Sequence, residues 1–151
     1  MSYTQQYVPE IVSIAEASLG GLRGRSALLI GAEERWQPYA AQLRQAGILR
    51  IYTEPTVQNL PMLIPRVQLV MNLPDPSSNA TGALSGTPSG ASYLSAADIA
   101  RGCAGRRAPL VIFDLSETPS VEELAGLLPA VCLYTPDDLR RILGRLQVQI
   151  A

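Results

Sequence analysis

The chain has no histidine and no lysine; all twelve of its basic residues are arginine. These absences exclude whole chemistries. There is no imidazole to act as general base, to bind a metal or to complete a serine triad. There is no lysine to form a Schiff base or grip a phosphate. The two cysteines, Cys103 and Cys132, are too few for a disulfide framework or a zinc site. Each reads as a small, buried apolar side chain. No apolar run approaches the ~18 residues that span a membrane. The segment Met1-Ser-Tyr-Thr-Gln-Gln-Tyr7 has neither the charge nor the apolar core of a signal peptide. Net charge is −1, with charges spread along the chain, so no basic nucleic-acid surface is expected. The expectation is a cytoplasmic protein with neither a membrane nor a nucleic acid as partner.

What is present is a globular composition. The 151 residues are 47% hydrophobic and 17% charged, which fits one domain spanning 1–151 with a full core. Apolar spacing predicts a helix over Pro9–Leu19, stopped by Gly20-Gly21. Ser26–Ile30 is a continuous apolar run ending at Gly31, as the first strand of a dinucleotide-binding βαβ unit does. A second helix carries Trp36, Tyr39, Ala40 and Leu43 on one face and runs to Ala46, before Gly47. Leu49–Thr53 is the second strand. Glu54–Pro65 holds three prolines and predicts an irregular crossing with one helical turn near Gln58. Val67–Met71 is the third strand.

Residues 73–92 are rich in Pro, Ser and Gly, too long for an ordinary connection, and read as a mobile loop. Asn79-Ala-Thr81 matches a glycosylation sequon, discounted without a secretion signal. Ser95 with Asp98, Ser120 with Glu123 and Thr135 with Asp138 each open a helix in capping-box style. Pro109–Asp114 and Val131–Tyr134 are the fourth and fifth strands. The last helix has an apolar stripe of Leu139, Ile142, Leu143 and Leu146, read as core packing.

Continuously apolar strands alternating with helices predict an α/β protein with three α/β/α layers. Its open parallel sheet has about five strands, most simply in the order 3-2-1-4-5. Such sheets bind ligands beyond the strands' carboxyl ends, here between the first and fourth strands. The crevice would be lined by Gly31, Ala32, Glu33, Glu34, Thr53, Glu54, Asn72, Leu73, Asp114 and Leu115. All of these except Leu115 are the candidate cofactor-binding residues; no catalytic and no metal-ligating residue is expected.

The order of landmarks resembles the Rossmann-like NAD(P)-binding domain of the glutamyl-tRNA reductase family, over residues 8–143. The likeness lies in Leu22-Arg-Gly-Arg-Ser-Ala-Leu-Leu-Ile-Gly-Ala32, in Ala40-Ala-Gln-Leu43 through Gly47, and in Arg107-Ala-Pro-Leu-Val-Ile-Phe-Asp114. It continues through Leu128-Pro-Ala-Val-Cys-Leu-Tyr134 into Asp137-Asp-Leu139. The resemblance implies NAD(P) as cofactor and a place in tetrapyrrole synthesis. Its phosphate loop has three glycines, of which only Gly31 remains; Glu33 and Trp36 stand at the other two positions. The second glycine admits the pyrophosphate and the third lets the helix pack close to the strand. A carboxylate ~5 Å from a phosphate, at an effective dielectric of ~20, costs about 3 kcal/mol. Glu34 adds to this, although both carboxylates also suit a helix N-terminus. Pro38 predicts that the helix starts late, away from the phosphate position.

The arginine that suits the 2′-phosphate of NADP is missing from Thr53-Glu-Pro-Thr56. Glu54, 23 residues after Gly31, stands near the position of an acidic residue on the ribose of NAD. NAD is therefore less excluded than NADP. Asn72-Leu-Pro-Asp75 and Leu115-Ser-Glu-Thr-Pro119 also depart from the family pattern, whereas Asp114 is retained and reads as a cap for a backbone turn. The family's catalytic domain and its nucleophilic cysteine would precede residue 1, and its dimerisation helix would follow Leu143. The chain opens with Met1 and reads as complete, so neither cysteine takes the nucleophile's role. The expectation is a non-catalytic binding or regulatory module linked to tetrapyrrole metabolism. Its candidate partners are a nucleotide-type small molecule, a second copy or an enzyme of that pathway. The alternative is an NAD(P)-dependent oxidoreductase or nucleotide-binding subunit completed by a partner chain.

Overall fold

The computed structural model describes residues 6–74 and 93–150, including the side chains up to Arg145. Five strands form one parallel sheet: β1 (Ser26–Gly31), β2 (Arg50–Glu54), β3 (Leu69–Leu73), β4 (Leu110–Asp114) and β5 (Val131–Tyr134). The fold is the expected three-layer α/β/α, Rossmann-like architecture. The strand order is β2-β1-β3-β4-β5, not 3-2-1-4-5. Burial explains the difference. Every residue of β3 is buried, so the strand needs neighbours on both edges and helices on both faces. β2, with the sequence Arg-Ile-Tyr-Thr-Glu, has no fully buried residue and takes the edge. The crossover from β2 therefore passes back over β1 to β3, and the chain's direction reverses between β1 and β3. The crevice of such a sheet lies at that reversal, between the first and third strands rather than the first and fourth.

One face is covered by α1 (Val8–Leu19), α2 (Glu33–Gln45) and α5 (Pro136–Ile150). Ile11, Ala15, Tyr39, Leu43 and Leu139 pack there on Ala27, Leu29, Met71 and Phe113. Burying each large side chain contributes ~1.5–3 kcal/mol. The other face carries α3 (Leu60–Leu63), a 3-10 turn (Ile64–Arg66), α4 (Ala96–Gly102) and a second 3-10 turn (Glu123–Leu127). There Leu60, Ile64, Ile99 and Ala125 cover Leu28, Ile30, Val70 and Ile112. Two of the three prolines of the irregular crossing, Pro61 and Pro65, are accommodated because they lie in the first turns of α3 and the 3-10 turn. At those positions a missing N–H costs nothing.

Helix ends follow local chemistry. α1 stops at Gly20 in the left-handed conformation (φ 70°), where Gly21 N–H reaches Glu16 C=O at 2.8 Å. Arg25 adds bonds to Gly21 C=O at 3.1 Å and Leu19 C=O at 2.9 Å. The capping box of α5 is complete, with Asp138 N–H on Thr135 Oγ1 and Thr135 N–H on Asp138 Oδ2, both 3.1 Å. Ser95 caps α4 as expected, through Asp98 N–H at 3.2 Å. That helix ends at Gly102. α2 does not start late: it begins at Glu33 and holds Pro38 inside it. Residues 75–92, including Asn79, lie outside the described residues, and Leu73 is the last residue of β3 rather than the first of a loop. Among the described residues no helix is long and apolar enough to cross a membrane.

Candidate site at the carboxyl ends of the strands

The register brings the candidate residues to one end of the sheet. Gly31 lies opposite Leu73, Ile30 is flanked by Glu54 and Asn72, and Asn72 lies opposite Asp114. Gly31 is required here for a reason of its own. Its φ is 139°, and a Cβ at this position would lie 2.4 Å from the Leu73 carbonyl oxygen. The one retained glycine thus permits close approach of β1 to β3 at the crevice.

Ala32 is the extended N-cap residue of α2, and Glu33 and Glu34 form its first turn, all exposed. Trp36, at the expected third-glycine position, packs half-buried on the core beneath α2. Thr53 is exposed at the end of β2; Glu54 beside it is half-buried and accepts the Asn59 amide at 2.7 Å. The four crevice segments carry the carboxylates of Glu33, Glu34, Glu54 and Asp114 and no basic side chain. That charge opposes a diphosphate.

Asp114 is 1% exposed and serves as an acceptor for four donors. Ser116 and Ser120 hydroxyls donate to Oδ1 at 2.5 and 2.7 Å. The N–H groups of Ser120 and Val121 donate to Oδ2 at 2.7 and 3.0 Å. The Asn72 amide, fully buried, donates to Ser120 Oγ at 2.8 Å. One buried chain of bonds therefore runs from β3 through Ser120 to β4 and fixes the 115–121 loop across the strand ends. This is the turn-capping role expected of Asp114. It also corrects the reading of Ser120, whose hydroxyl serves Asp114 and does not cap a helix. The following 3-10 turn has no side-chain cap.

The returning chain is tied to the same loop. Leu94 forms a parallel bridge with Val121, its N–H on Ser120 C=O at 2.9 Å. Glu122 accepts the first N–H of α4, from Ala96, at 2.9 Å. Tyr93 stands beside these groups: burial, then the charges of Glu122 and Asp114, push its hydroxyl above the usual tyrosine range. Ser116, Ser120 and Tyr93 are the site residues that sequence reasoning missed. The spacing Asp114-x-Ser116 was a signal, since Asp commonly bonds two residues on. Tyr93, at the end of a polar run, carried none.

Neither cysteine behaves as a fully buried apolar group. Cys103 is half-buried and Cys132 is exposed on β5. Burial pushes the Cys103 thiol up, only partly offset by Arg106. No group of three or more potential metal ligands occurs among the described residues.

A parallel sheet reversing between β1 and β3, with a close glycine at the exit of β1, defines a doubly wound, Rossmann-like α/β domain. No family model matches the chain. It is 31% identical over 142 residues to the glutamyl-tRNA reductase of Methanocella arvoryzae and 27% over 144 residues to that of Rubrobacter xylanophilus. These alignments cover 87% and 91% of the chain, but only 31% and 34% of those enzymes, so the chain spans about a third of the relatives' length. A solved structure of glutamyl-tRNA reductase from Methanopyrus kandleri superposes with a TM-score of 0.66 at 21% identity, over 95% of this chain and 39% of that one. The chain is a homologue of a domain-length segment of glutamyl-tRNA reductase.

Proposed function

We propose that this chain is a binding or regulatory module of tetrapyrrole metabolism, working in the cytoplasm without reductase activity of its own. The observation that carries the reading is the exit of β1. The helix begins at Glu33, so two exposed carboxylates and no second glycine occupy the turn where a pyrophosphate would meet helix N–H groups. The retained Gly31 is explained by its contact with Leu73 and needs no cofactor. Asp114, with its four donors, is occupied in holding its loop. Calorimetric titration should give NADPH a dissociation constant above ~100 μM, weaker than about −5.5 kcal/mol. Low-micromolar binding overturns the reading.

A second reading, an oxidoreductase or nucleotide-binding subunit completed by a partner chain, rests on Glu54. Its carboxylate ends β2 beside Ile30, where a ribose would lie in a dinucleotide site. That reading requires NADH to bind more tightly than NADPH, and Glu54→Ala to abolish the preference. Equal, weak binding of both removes it.

A further inference from the structure

At the edge of the sheet opposite β2, β5 closes the strand order, and no described strand pairs with its outer edge. Between that edge and α5 lies a cavity of about 280 Å³. Cys132, Leu133 and Tyr134 line it from the strand, and Asp138, Arg141, Ile142 and Arg145 from the helix. The helix residues are spaced i, i+3, i+4 and i+7, so they form one stripe facing the edge. Cys132 is exposed, and Leu133 and Ile142 are half-buried. An unpaired apolar strand edge is a template for pairing.

We propose that this face joins two copies of the chain about a two-fold axis normal to the sheet and passing through Cys132. Two features are compatible with that axis and a third selects it. The first is parity. Residues facing each other across an antiparallel pair must point to the same sheet face, so such an axis passes through a residue and not between two. The second is backbone direction. Leu110 N–H donates to Ala130 C=O at 2.8 Å, so residues 130 and 132 bond toward β4 and the groups of Leu133 point outward. Leu133 N–H can then donate to Val131 C=O of the second copy, and the same bond forms in the other direction by symmetry, while each Val131 N–H stays on Leu128 C=O of its own chain at 3.0 Å.

The third is the helix. From Cys132 to Thr135 the strand rises ~10 Å. The returning helix, at ~1.5 Å per residue, comes level with Cys132 at residues 141 and 142. That is the centre of the stripe. Turned about it, the stripe is self-complementary: Asp138 meets the second copy's Arg145, Arg145 meets its Asp138, and Ile142 packs at the middle beside Arg141. Arg141 is already drawn to Asp138 of its own helix. The contact is isologous and closes at two copies.

The test is sedimentation velocity of the 151-residue chain, under reducing conditions, from micromolar to millimolar concentration. A reversible monomer–dimer equilibrium is expected. Arg145→Asp sets carboxylate against carboxylate at both symmetric contacts and should weaken the dimer about tenfold or more. Arg145 is exposed, so circular dichroism should be unchanged. On mild oxidation the two Cys132 residues, with Cα atoms ~4.5–5.5 Å apart, fall within disulfide reach. A covalent dimer should form that Cys132→Ser abolishes and Cys103→Ser does not; Cys132→Ser should keep the reversible dimer under reducing conditions. A chain monomeric throughout the range overturns the proposal, including one whose edge takes up a foreign peptide or a small anion instead. So does a dimer that Arg145→Asp leaves unchanged.

Discussion

Replacing Asp114 with alanine removes the acceptor of two buried backbone N–H groups, those of Ser120 and Val121. The Ser116 hydroxyl can re-pair with the Thr118 carbonyl that already lies beside it, whereas the Ser120 hydroxyl keeps only the Asn72 N–H that it accepts. The N–H groups cannot, because the loop that carries them is fixed by the Leu94 bridge and by Glu122 on Ala96. Each orphaned buried donor costs ~1–3 kcal/mol, so Asp114→Ala should destabilise by about 4 kcal/mol. That is a large share of the ~5–15 kcal/mol of a typical domain and a fall of roughly 8–16 °C in Tm. Asp114→Asn retains an oxygen for the two N–H groups and turns its amide toward hydroxyls able to accept, for a loss of about 1–2 kcal/mol. Urea unfolding followed by circular dichroism measures both. If Asp114→Ala costs less than about 1 kcal/mol, the loop is not held by this carboxylate and the reasoning fails.

Gly31→Ala would drive a Cβ to 2.4 Å from the Leu73 carbonyl at a φ of 139°, and should cost at least ~3 kcal/mol by the same unfolding assay. Arg106 donates to Ala108, Ile64 and Val67 carbonyls at 2.7, 2.9 and 2.5 Å, joining the entries of β3 and β4. Arg106→Ala should cost about 2–4 kcal/mol, and lysine, lacking the planar fork, should recover less than half of it. In native protein near neutral pH, Cys132 should react with a thiol reagent well before Cys103, whose raised pKa leaves less thiolate. Raising the pH should narrow the gap, and mass spectrometry of the labelled peptides checks the order.

The elements were legible where one physical signal dominated. β1 and β4 are apolar runs with no polar interruption, and Thr135-Pro-Asp-Asp138 spells out a helix start that the structure reproduces bond for bond. The strand order was harder, because it depends on relative burial and not on any one strand. The polar alternation of Arg50–Glu54 and the near-continuous apolar Leu69–Leu73 did encode edge and centre, but only when compared with each other. Asp114 was legible as a turn cap from its place after an apolar strand. Its partner Ser120 was not, since Ser followed three residues later by Glu has the same appearance whether it caps a helix or serves a distant carboxylate. Pro38 suggested a delayed helix, yet the packing of Tyr39, Ala40 and Leu43 holds α2 in place from Glu33 onward. The exposure of Cys132 follows from β5 being an edge, which single-residue tendencies do not contain.

On the proposed function, the β1 exit keeps a Rossmann-like architecture while Glu33 and Glu34 oppose a diphosphate. Calorimetric titration of NADPH and NADH into the wild-type chain and into Glu33→Gly, alone and with Trp36→Gly, tests it most directly. Binding weaker than ~100 μM for the wild type, tightening about tenfold or more in the glycine variants, is the predicted result. Low-micromolar binding by the wild type, or folded variants with no gain at all, would contradict it.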